Sequence, residues 1–381
     1  MFLRETLSNY LLRFQQELFP ELENELGPLS DKHKQLVMVL ETVRVETYLP
    51  YVHGLVGRPL AERACLARAF VVKAVFNLPT TRLLIDLLRG DIRLRRLCGW
   101  ERQSDIPSEA TFSRGFADFA EQKLPFLLHE ALIKATIGTG IVGHVSRDST
   151  AIEAREKPAS KPKPNSGKRA RRGRRRKDEP ARIEGPTRIE RQSAMTLEEM
   201  LADLPKSCDV GSKRNASGHQ ESWTGYKLHI DTADGDIPVS AILTSASPHD
   251  SQVAIPLATM TAKRVQNLYD LMDSAYDNEG IRAHSIGLGH VPIIDINPRR
   301  DAALKVDIER EAKARRVINL TTAEDVRYRQ RSSAERVNSA LKDNFGGKMV
   351  RVRGNTKVAA HLMFGLLSLT ALQIIRLVLV T

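Results

Sequence analysis

Cysteine is scarce in this chain of 381 residues, which contains only Cys65, Cys98 and Cys208. The three are far apart and no Cys-x2-Cys pair occurs, so neither a disulfide framework nor a zinc ribbon is predicted. We expect them to be packing residues in a reducing compartment. We also expect no secretory signal, because Arg4 and Glu5 interrupt the opening residues and no apolar stretch follows. Both absences favour a cytoplasmic protein.

Long hydrophobic runs are rare as well, and only residues 362–380 are apolar over a length that could span a membrane. His361, Gln373, Arg376 and several Ser and Thr residues border or interrupt this stretch. We therefore expect a helix that is buried in the protein or packed in an oligomer, and no membrane partner.

Acidic residues are outnumbered, since 58 Lys and Arg face 46 Asp and Glu, for a net charge of +12. This excess predicts a polyanionic partner, although charge alone would equally fit a ribosomal or membrane-surface protein. Residues 161–177 hold ten of the cations and no acid, interleaved with Pro and Gly. They predict a flexible arm that binds DNA phosphates, or else a solvated linker. The DNA-binding residues predicted in this arm are Lys168, Arg169, Arg171, Arg172, Arg174, Arg175, Arg176 and Lys177.

One acid lies among cations towards the C-terminal end of the chain. The segment has the spacing Tyr328-x2-Arg331-x3-Glu335-x6-Lys342. In a continuous helix these side chains and that of Asn338 share one narrow face, which presents a carboxylate to a polyanion. The opposite side is apolar and can bury the helix; it consists of Ala334, Val337 and Leu341. The alternative is an exposed helix carrying i,i+4 salt links.

Further acids stand at the ends of apolar runs that predict buried strands. Asp148 ends the first run, where a buried carboxylate is costly unless it faces a cleft or a metal; a surface strand end is the alternative. A second run contains or precedes three acids, Asp270, Asp273 and Asp277. Asp270 falls within the run itself, and Asp277 fits the N-cap of a following helix.

The spacing around Glu335 resembles the Tyr-Arg-Glu-Lys signature at the last catalytic acid of DDE transposases, which bacterial insertion sequences encode. The segment Asp273-x2-Tyr276-Asp277 looks like that family's motif around its second acid, which favours Asp273 for this role. The resemblance implies that Asp148, Asp273 and Glu335 are the catalytic residues. It also implies that they hold two Mg2+ or Mn2+ ions in each active site.

The resemblance further implies that the partners are DNA, namely terminal inverted repeats and target DNA. The expected function is metal-dependent cleavage at transposon ends followed by strand transfer, by a homodimer or larger assembly in the cytoplasm at the nucleoid. The side chains expected to contact DNA around Glu335 are Tyr328, Arg331, Asn338 and Lys342. Two alternatives stay open: an inactive transposase-derived DNA-binding protein, and a ribonuclease H-like nuclease without strand transfer.

The order of elements after residue 138 is strand, hairpin, helix, strand, helix, strand, helix. This is the order of the ribonuclease H-like α/β fold of the resembled transposases, a mixed sheet flanked by helices in which the first and fourth strands are neighbours. Asp148 and Asp273 are therefore expected side by side. We predict an all-α N-terminal domain at 1–138, for DNA-end binding or dimerisation, and a catalytic domain at 139–381. The latter is expected to carry a basic, flexible insertion at about 154–220, with one helix at 196–204.

Three other positions have two interpretations each. The pair His249-Asp250 could serve a metal or acid–base chemistry, but more simply caps the helix that follows. Trp223 could stack on an unpaired base, although packing in the sheet is favoured. Lys227 could touch phosphate or be an ordinary exposed strand lysine.

Overall fold

Helices make up all the regular structure described before Ile141. The computed structural model covers residues 13–49, 62–160, 185–214, 218–299 and 301–380, so the predicted DNA-binding residues of the arm at 168–177 lie outside the described residues. The helices are α1 (Phe19–Leu26), α2 (Asp31–Val43), α3 (Arg63–Val75), α4 (Thr81–Gly90), α5 (Ile92–Cys98), α6 (Glu109–Glu121) and α7 (Leu124–Thr136), with single turns at Phe14–Leu18, Val45–Tyr48 and Gln103–Asp105.

Side-chain caps fix where these helices begin. The Thr80 hydroxyl accepts a hydrogen bond from the backbone N–H of Leu83 at 3.2 Å and begins α4. The Asp91 carboxylate accepts one from the N–H of Arg93 at 2.9 Å and begins α5. Such caps satisfy backbone donors that have no partner within the helix, so short polar residues before apolar runs set the helix boundaries.

A mixed sheet follows the helices, and its central strand carries Asp148. The strands are β1 (Ile141–Glu153), β2 (Asp209–Arg214), β3 (Gln220–Ala233), β4 (Ile237–Ser245), β5 (Gln266–Met272) and β6 (Val291–Ile294). Their order is β2-β3-β1-β5-β6, with β4 also paired to β3. Strand β1 is antiparallel to β3 and parallel to β5, which confirms that the first and fourth predicted strands are neighbours.

Helices cover this sheet and complete a ribonuclease H-like α/β domain, as predicted. They are α8 (Arg188–Gln192), α9 (Leu197–Asp203), α10 (Ser251–Ala262), α11 (Glu279–Gly287), α12 (Ala302–Val317), α13 (Ala323–Tyr328), α14 (Ser332–Asn344) and α15 (Asn355–Val380), with 3-10 turns at Ser274–Tyr276 and Arg329–Arg331. The predicted β3–β4 hairpin is present, and its turn contains Gly235 with φ of 77°. Glycine adopts this left-handed conformation without the steric cost that a side chain would add.

The long apolar helix α15 is a core helix. Its segment Asn355–Leu377 is long and apolar enough to cross a membrane, but 89% of its apolar 18-residue stretch is buried inside the protein. It packs against α2, α3, α6 and α7 and against β4. One hydrophobic cluster therefore joins the N-terminal helices to the sheet, with α15 between them. The prediction of a buried helix is confirmed. The boundary predicted at 138/139 separates the N-terminal helices from the sheet, and one hydrophobic core extends across it.

Residues 188–214 are folded, which corrects the prediction of a flexible insertion over the whole of 154–220. Helix α9 matches the predicted helix at 196–204, and its Met200 is only 4% exposed. Gln192 on α8 donates to the backbone oxygen of Gln252 at 2.9 Å, and β2 extends the sheet beside β3. The few apolar anchors in this stretch are separated by polar residues, so their pattern was too weak to predict packing.

Candidate active site

Two of the three predicted catalytic acids stand at the same edge of the sheet. Ser146 on β1 pairs with Leu271 on β5 in parallel register. Two residues further along each strand come Asp148 and Asp273, so the register places them beside each other where β5 ends. The two carboxylates interact electrostatically, and each contributes a repulsive charge to this edge.

Asp148 lies in a partly buried position that disfavours its charged form. Burial raises the pKa of this carboxyl to about 6, and the negative charge of Asp273 adds to the increase. The side-chain amide of Asn338 on α14 donates to Asp148 Oδ2 at 2.9 Å. Helix α14 thus contacts the Asp148 carboxylate directly. The carboxylates of Asp148 and Asp273 repel each other, and a bound cation would reduce this repulsion.

The raised pKa of Asp148 makes a testable prediction about stability. Its folded pKa of about 6 lies above the ordinary 3.8, so protonation favours folding, and this contribution is full below about pH 4 and is lost as the pH rises through 6. Asp148→Asn should therefore raise the free energy of unfolding by about 3 kcal/mol at pH 8 and by nothing at pH 3.5. Thermal denaturation of both proteins at the two pH values measures this. An equal stability difference at both would contradict it.

Asp273 follows β5 and caps a short turn. Its Oδ1 accepts a hydrogen bond from the N–H of Ala275 at 2.9 Å, and burial raises its pKa. Asp270 behaves differently, because it is 2% exposed and accepts hydrogen bonds from Asn267 and Ser285 and contacts the His290 ring at 3.1 Å. Asp270 and Asp273 are three positions apart, so they face opposite sides of the sheet. The geometry supports Asp273 as the site residue.

Asp277 does not cap the following helix, which corrects its predicted role. The N-cap of α11 is Asn278, whose side chain accepts from the N–H of Gly280 at 2.9 Å. Asp277 instead accepts from Arg282 at 2.9 Å and from the N–H of Asn297 at 2.9 Å. Both residues are common N-caps, so sequence alone could not decide between neighbours.

The periodicity predicted one continuous helix from Tyr328 to Lys342, and this prediction is wrong. Helix α13 ends at Tyr328, a 3-10 turn covers Arg329–Arg331, and α14 begins at Ser332. Arg331 lies one turn before Glu335 and donates to its Oε1 at 2.6 Å. Tyr328 donates to Asp295, and the Arg331 guanidinium lies 5.7 Å from the Tyr328 ring centre. Although the helix is interrupted, these contacts keep the side chains of Tyr328, Arg331 and Glu335 close together.

The rest of α14 divides as predicted into an apolar and a polar side. Ala334, Val337 and Leu341 are at most 1% exposed and pack the helix against β1 and β3. Lys342 is partly buried near Asp148, and burial lowers its pKa. Asn338 is only 7% exposed and is bonded to Asp148, which corrects its predicted place on the DNA-contacting face.

Asp250 is a fourth carboxylate beside the site, and the sequence had assigned it a different role. Its side chain makes no cap hydrogen bond in α10, so the capping interpretation is wrong for Asp250. Lys227 on β3 donates to Asp250 Oδ1 at 2.8 Å and to the Pro248 carbonyl at 3.0 Å. The charge of Asp250 raises the pKa of both Asp148 and Asp273, after the larger effect of burial. Lys227 is therefore not an ordinary exposed strand lysine, because its side chain is 12% exposed and forms an internal ion pair.

His249 and Trp223 have structural roles. His249 Nδ1 accepts a hydrogen bond from the N–H of Ser251, the first residue of α10, at 3.4 Å, while the N-cap position itself is Asp250. Trp223 donates from its indole nitrogen to the backbone oxygen of Tyr226 at 2.9 Å, which confirms packing in the sheet.

A buried ion pair directly behind the acids was not predicted. Arg147 and Asp231 are 2% and 0% exposed, and two hydrogen bonds of 2.8 Å join them across β1 and β3. Arg147 also contacts the sulfur of Met272 at 3.3 Å, on β5 immediately before Asp273. The pair therefore fastens together the three strands whose edge holds Asp148 and Asp273. Its partners are far apart in sequence, so no local pattern signalled it.

The oxygen-rich edge has donors suited to a hard divalent cation. Within the part of the chain that the structure describes, no three His, Cys, Asp or Glu side chains form a metal-binding group, and Glu335 is paired with Arg331. The buried Asn338 Oδ1 has no hydrogen-bond partner among the described residues, and it adjoins the repelling carboxylates. Carboxylate and amide oxygens are the ligands of Mg2+, and Mn2+ accepts the same set. The residues fit such an ion, with Glu335 needing to leave Arg331 to join.

The sheet with its acidic edge and the helices around it form an RNase H-like α/β domain. Two family models match the chain: one described as Transposase DDE domain, at residues 188–371, and one described as Transposase domain (DUF772), at residues 23–118. The chain thus contains two transposase domains that are typical of the transposases of bacterial insertion sequences. Asp273 and Glu335 lie within the first match, and Asp148 precedes it. Comparison with curated proteins and with solved structures gave no significant match.

Proposed function

We propose that this protein cleaves DNA at transposon ends and joins them to target DNA, with Asp148, Asp273 and Glu335 as the catalytic acids. The observation that carries the proposal is the juxtaposition of Asp148 and Asp273 at the end of β5, with Glu335 on the adjoining helix α14. Such an arrangement brings together three segments that are far apart in the sequence. Two divalent ions at such a site would activate the attacking hydroxyl and stabilise the leaving oxygen.

The chain's own groups would position and protect this chemistry. Asn338 holds the Asp148 carboxylate through its side-chain amide at 2.9 Å. Arg331 and Lys342 would orient phosphates near the scissile bond, and Tyr328 supports Arg331 through its ring and Asp295 through its hydroxyl. Arg331 would exchange Glu335 for a DNA phosphate, because both are anions of similar hydrogen-bonding geometry. The substrate itself would thus free Glu335 for the site.

A donor plasmid carrying candidate terminal inverted repeats tests the proposed function. The wild-type protein with Mg2+ should give cleaved ends and joined products in a plasmid assay. The active species would be a homodimer or larger assembly on DNA, located at the nucleoid in the cell. Hydrolysis without joining would instead indicate a nuclease without strand transfer. A gel shift without any cleavage would indicate a DNA-binding protein that has lost activity.

The basic arm should add affinity without sequence preference. Replacing the Lys and Arg of residues 168–177 by Gln removes eight cations that can displace counterions from DNA. We expect the slope of log K against log salt to become shallower by several units, at roughly 0.9 for each phosphate that the arm no longer neutralises. Fluorescence anisotropy with duplex DNA across a salt series measures the slope. An unchanged slope would identify the arm as a solvated linker.

A further inference from the structure

A buried lysine without an acidic partner lies between the N-terminal helices and α15. Lys73 on α3 is 7% exposed, and among the described residues no carboxylate influences its pKa, which burial alone lowers. Its described hydrogen-bond contact is the Nδ1 atom of His361 on α15, at 3.5 Å. A buried cation is costly unless an anion or strong acceptors compensate it, so this position calls for a negative partner.

His361 cannot supply that negative charge. Its Nε2 donates to the carbonyl of Gly346 at 3.0 Å, which leaves Nδ1 as an acceptor for the Lys73 ammonium. Burial lowers the pKa of His361 to about 3, so the ring is neutral at physiological pH. Burial lowers the pKa of Lys73 to about 8, so at neutral pH the ammonium is mostly charged and faces a neutral ring, with N–H groups left to donate.

Lys73 borders a cavity of about 310 Å³ in which cations predominate. Arg353 and Lys357 also line it, against the single carboxylate of Glu109. The hydroxyls of Thr81 and Ser113 add polar groups. Three cations around one acid leave an excess positive charge at this opening, and hydroxyls beside them are hydrogen-bond donors that suit phosphate oxygens.

First-turn residues of three helices line the same cavity. Thr81 is the first residue of α4, Glu109 the first of α6, and Lys357 lies in the first turn of α15. A helix N-terminus carries a partial positive charge and unpaired backbone N–H groups, which favour anions. The convergence of these ends reinforces the charge of Lys73, Arg353 and Lys357.

We propose that this cavity, bounded by Lys73, Arg353 and Lys357, is a binding site for a phosphate group of the DNA backbone. The cavity is lined by the N-terminal helices, by the segment after α14 and by the start of α15, and none of the three acids is among its lining residues. The bound phosphate would neutralise Lys73 and anchor DNA outside the catalytic centre. The choice of DNA as the source of the phosphate rests on the proposed function, whereas the phosphate site itself does not.

The substitution Lys73→Met separates a ligand site from a structural role. Methionine keeps the length and apolar stem of lysine but removes the buried charge, so the variant should melt at a higher temperature than wild type in buffer without phosphate. Inorganic phosphate should raise the melting temperature of wild type in a concentration-dependent way, and this shift should disappear in the variant. A structural lysine would give the opposite: a lower melting temperature and an unchanged response to phosphate.

Binding to duplex DNA, measured by anisotropy without divalent cations, tests the source of the phosphate. Lys73→Met should weaken binding roughly ten- to a hundredfold, the scale of one charge-assisted hydrogen bond, and reduce the salt slope by about one. The control Lys134→Met removes a lysine that is paired with Glu130 on α7, outside the cavity, and should leave affinity near wild type. Cleavage plays no part in this measurement, so failure of the proposed catalysis would leave its result intact.

Each remaining outcome also decides the question. If Lys73→Met does not fold, the exposed pair Arg353→Gln and Lys357→Gln should show the same losses of phosphate response and DNA affinity, and unchanged binding by that double variant overturns the site. If phosphate stabilises wild type while DNA affinity is the same in wild type and variant, the cavity takes a free anion and the DNA assignment is wrong. If phosphate and DNA both act equally on wild type and variant, the cavity is not a phosphate site.

Discussion

Asp148→Asn, Asp273→Asn and Glu335→Gln should each abolish Mg2+-dependent cleavage of the donor plasmid. Each change removes one negative oxygen ligand but preserves side-chain size, and loss of metal-assisted chemistry is worth several kcal/mol, or on the order of a thousandfold in rate. DNA binding without metal should remain close to wild type, because the binding cations are untouched. The assay measures initial cleavage rates and gel-shift affinity for the same preparations.

Two aspartates near the site provide matched controls. Asp277→Asn changes a carboxylate that is bonded to Arg282 and the backbone of Asn297, so cleavage should persist. Asp270→Asn alters a buried group with three hydrogen-bonding neighbours, so we expect lower thermal stability rather than a specific loss of cleavage. If Asp270→Asn remains folded and inactive while Asp273→Asn cleaves, the second acid has been misassigned. Full cleavage by any of the three acid variants removes that residue from the site.

Arg331→Ala and Lys342→Ala should each lower cleavage by on the order of ten- to a thousandfold while retaining Mn2+ binding. Both cations lie close enough to Asp148 to affect its electrostatic environment, and their proposed role is to position phosphate. The expected decrease is that of removing one preorganised electrostatic interaction from a water-poor site. Calorimetry with Mn2+ separates metal affinity from the cleavage rate in the same variant.

Arg336→Ala is the matched control on the same helix. Arg336 follows Glu335 directly, but its guanidinium binds Asp236 in the β3–β4 turn at 2.7 Å and 2.8 Å, away from the phosphate-positioning face. Its removal should leave the cleavage rate near wild type. If Arg331→Ala and Lys342→Ala also cleave normally while Glu335→Gln does not, the two cations are only salt-bridge partners of an exposed helix.

Acids on or after apolar strands were the part of the site that sequence could reveal. Asp273 follows β5 as expected, whereas Asp148 lies in the middle of β1 and not at its end; the parallel register of the two strands brings both acids close together. The apolar side of α14 could also be predicted, because Ala334, Val337 and Leu341 are spaced with the period of a helix. Sequence patterns within a single strand or helix therefore predicted the secondary structure around the site and the positions of Asp148 and Asp273.

Ion pairs between elements that are distant in the sequence could not be predicted from such local patterns. Arg147 binds Asp231 on another strand, and Lys227 binds Asp250 on a helix that follows a different strand. Asp250 looked like a cap because its immediate neighbours resemble a helix start. The 3-10 turn at Arg329–Arg331 escaped prediction for a related reason: residue periodicity does not distinguish a tight turn from a helix over three residues. Tertiary contacts decide all of these.

The central claim is that three segments far apart in the sequence hold one pair of metal ions. Fe2+ in place of Mg2+, with peroxide and a reductant, generates hydroxyl radicals that cut a polypeptide beside the bound ion, and mass spectrometry of the fragments locates the cuts. With DNA bound, we predict cuts clustered near residues 148, 273 and 335 in the wild-type protein and none of them in Asp148→Asn. Cuts near 148 and 273 that never extend to 335, with or without DNA, would contradict the account, because Glu335 would then stay with Arg331 and outside the metal centre.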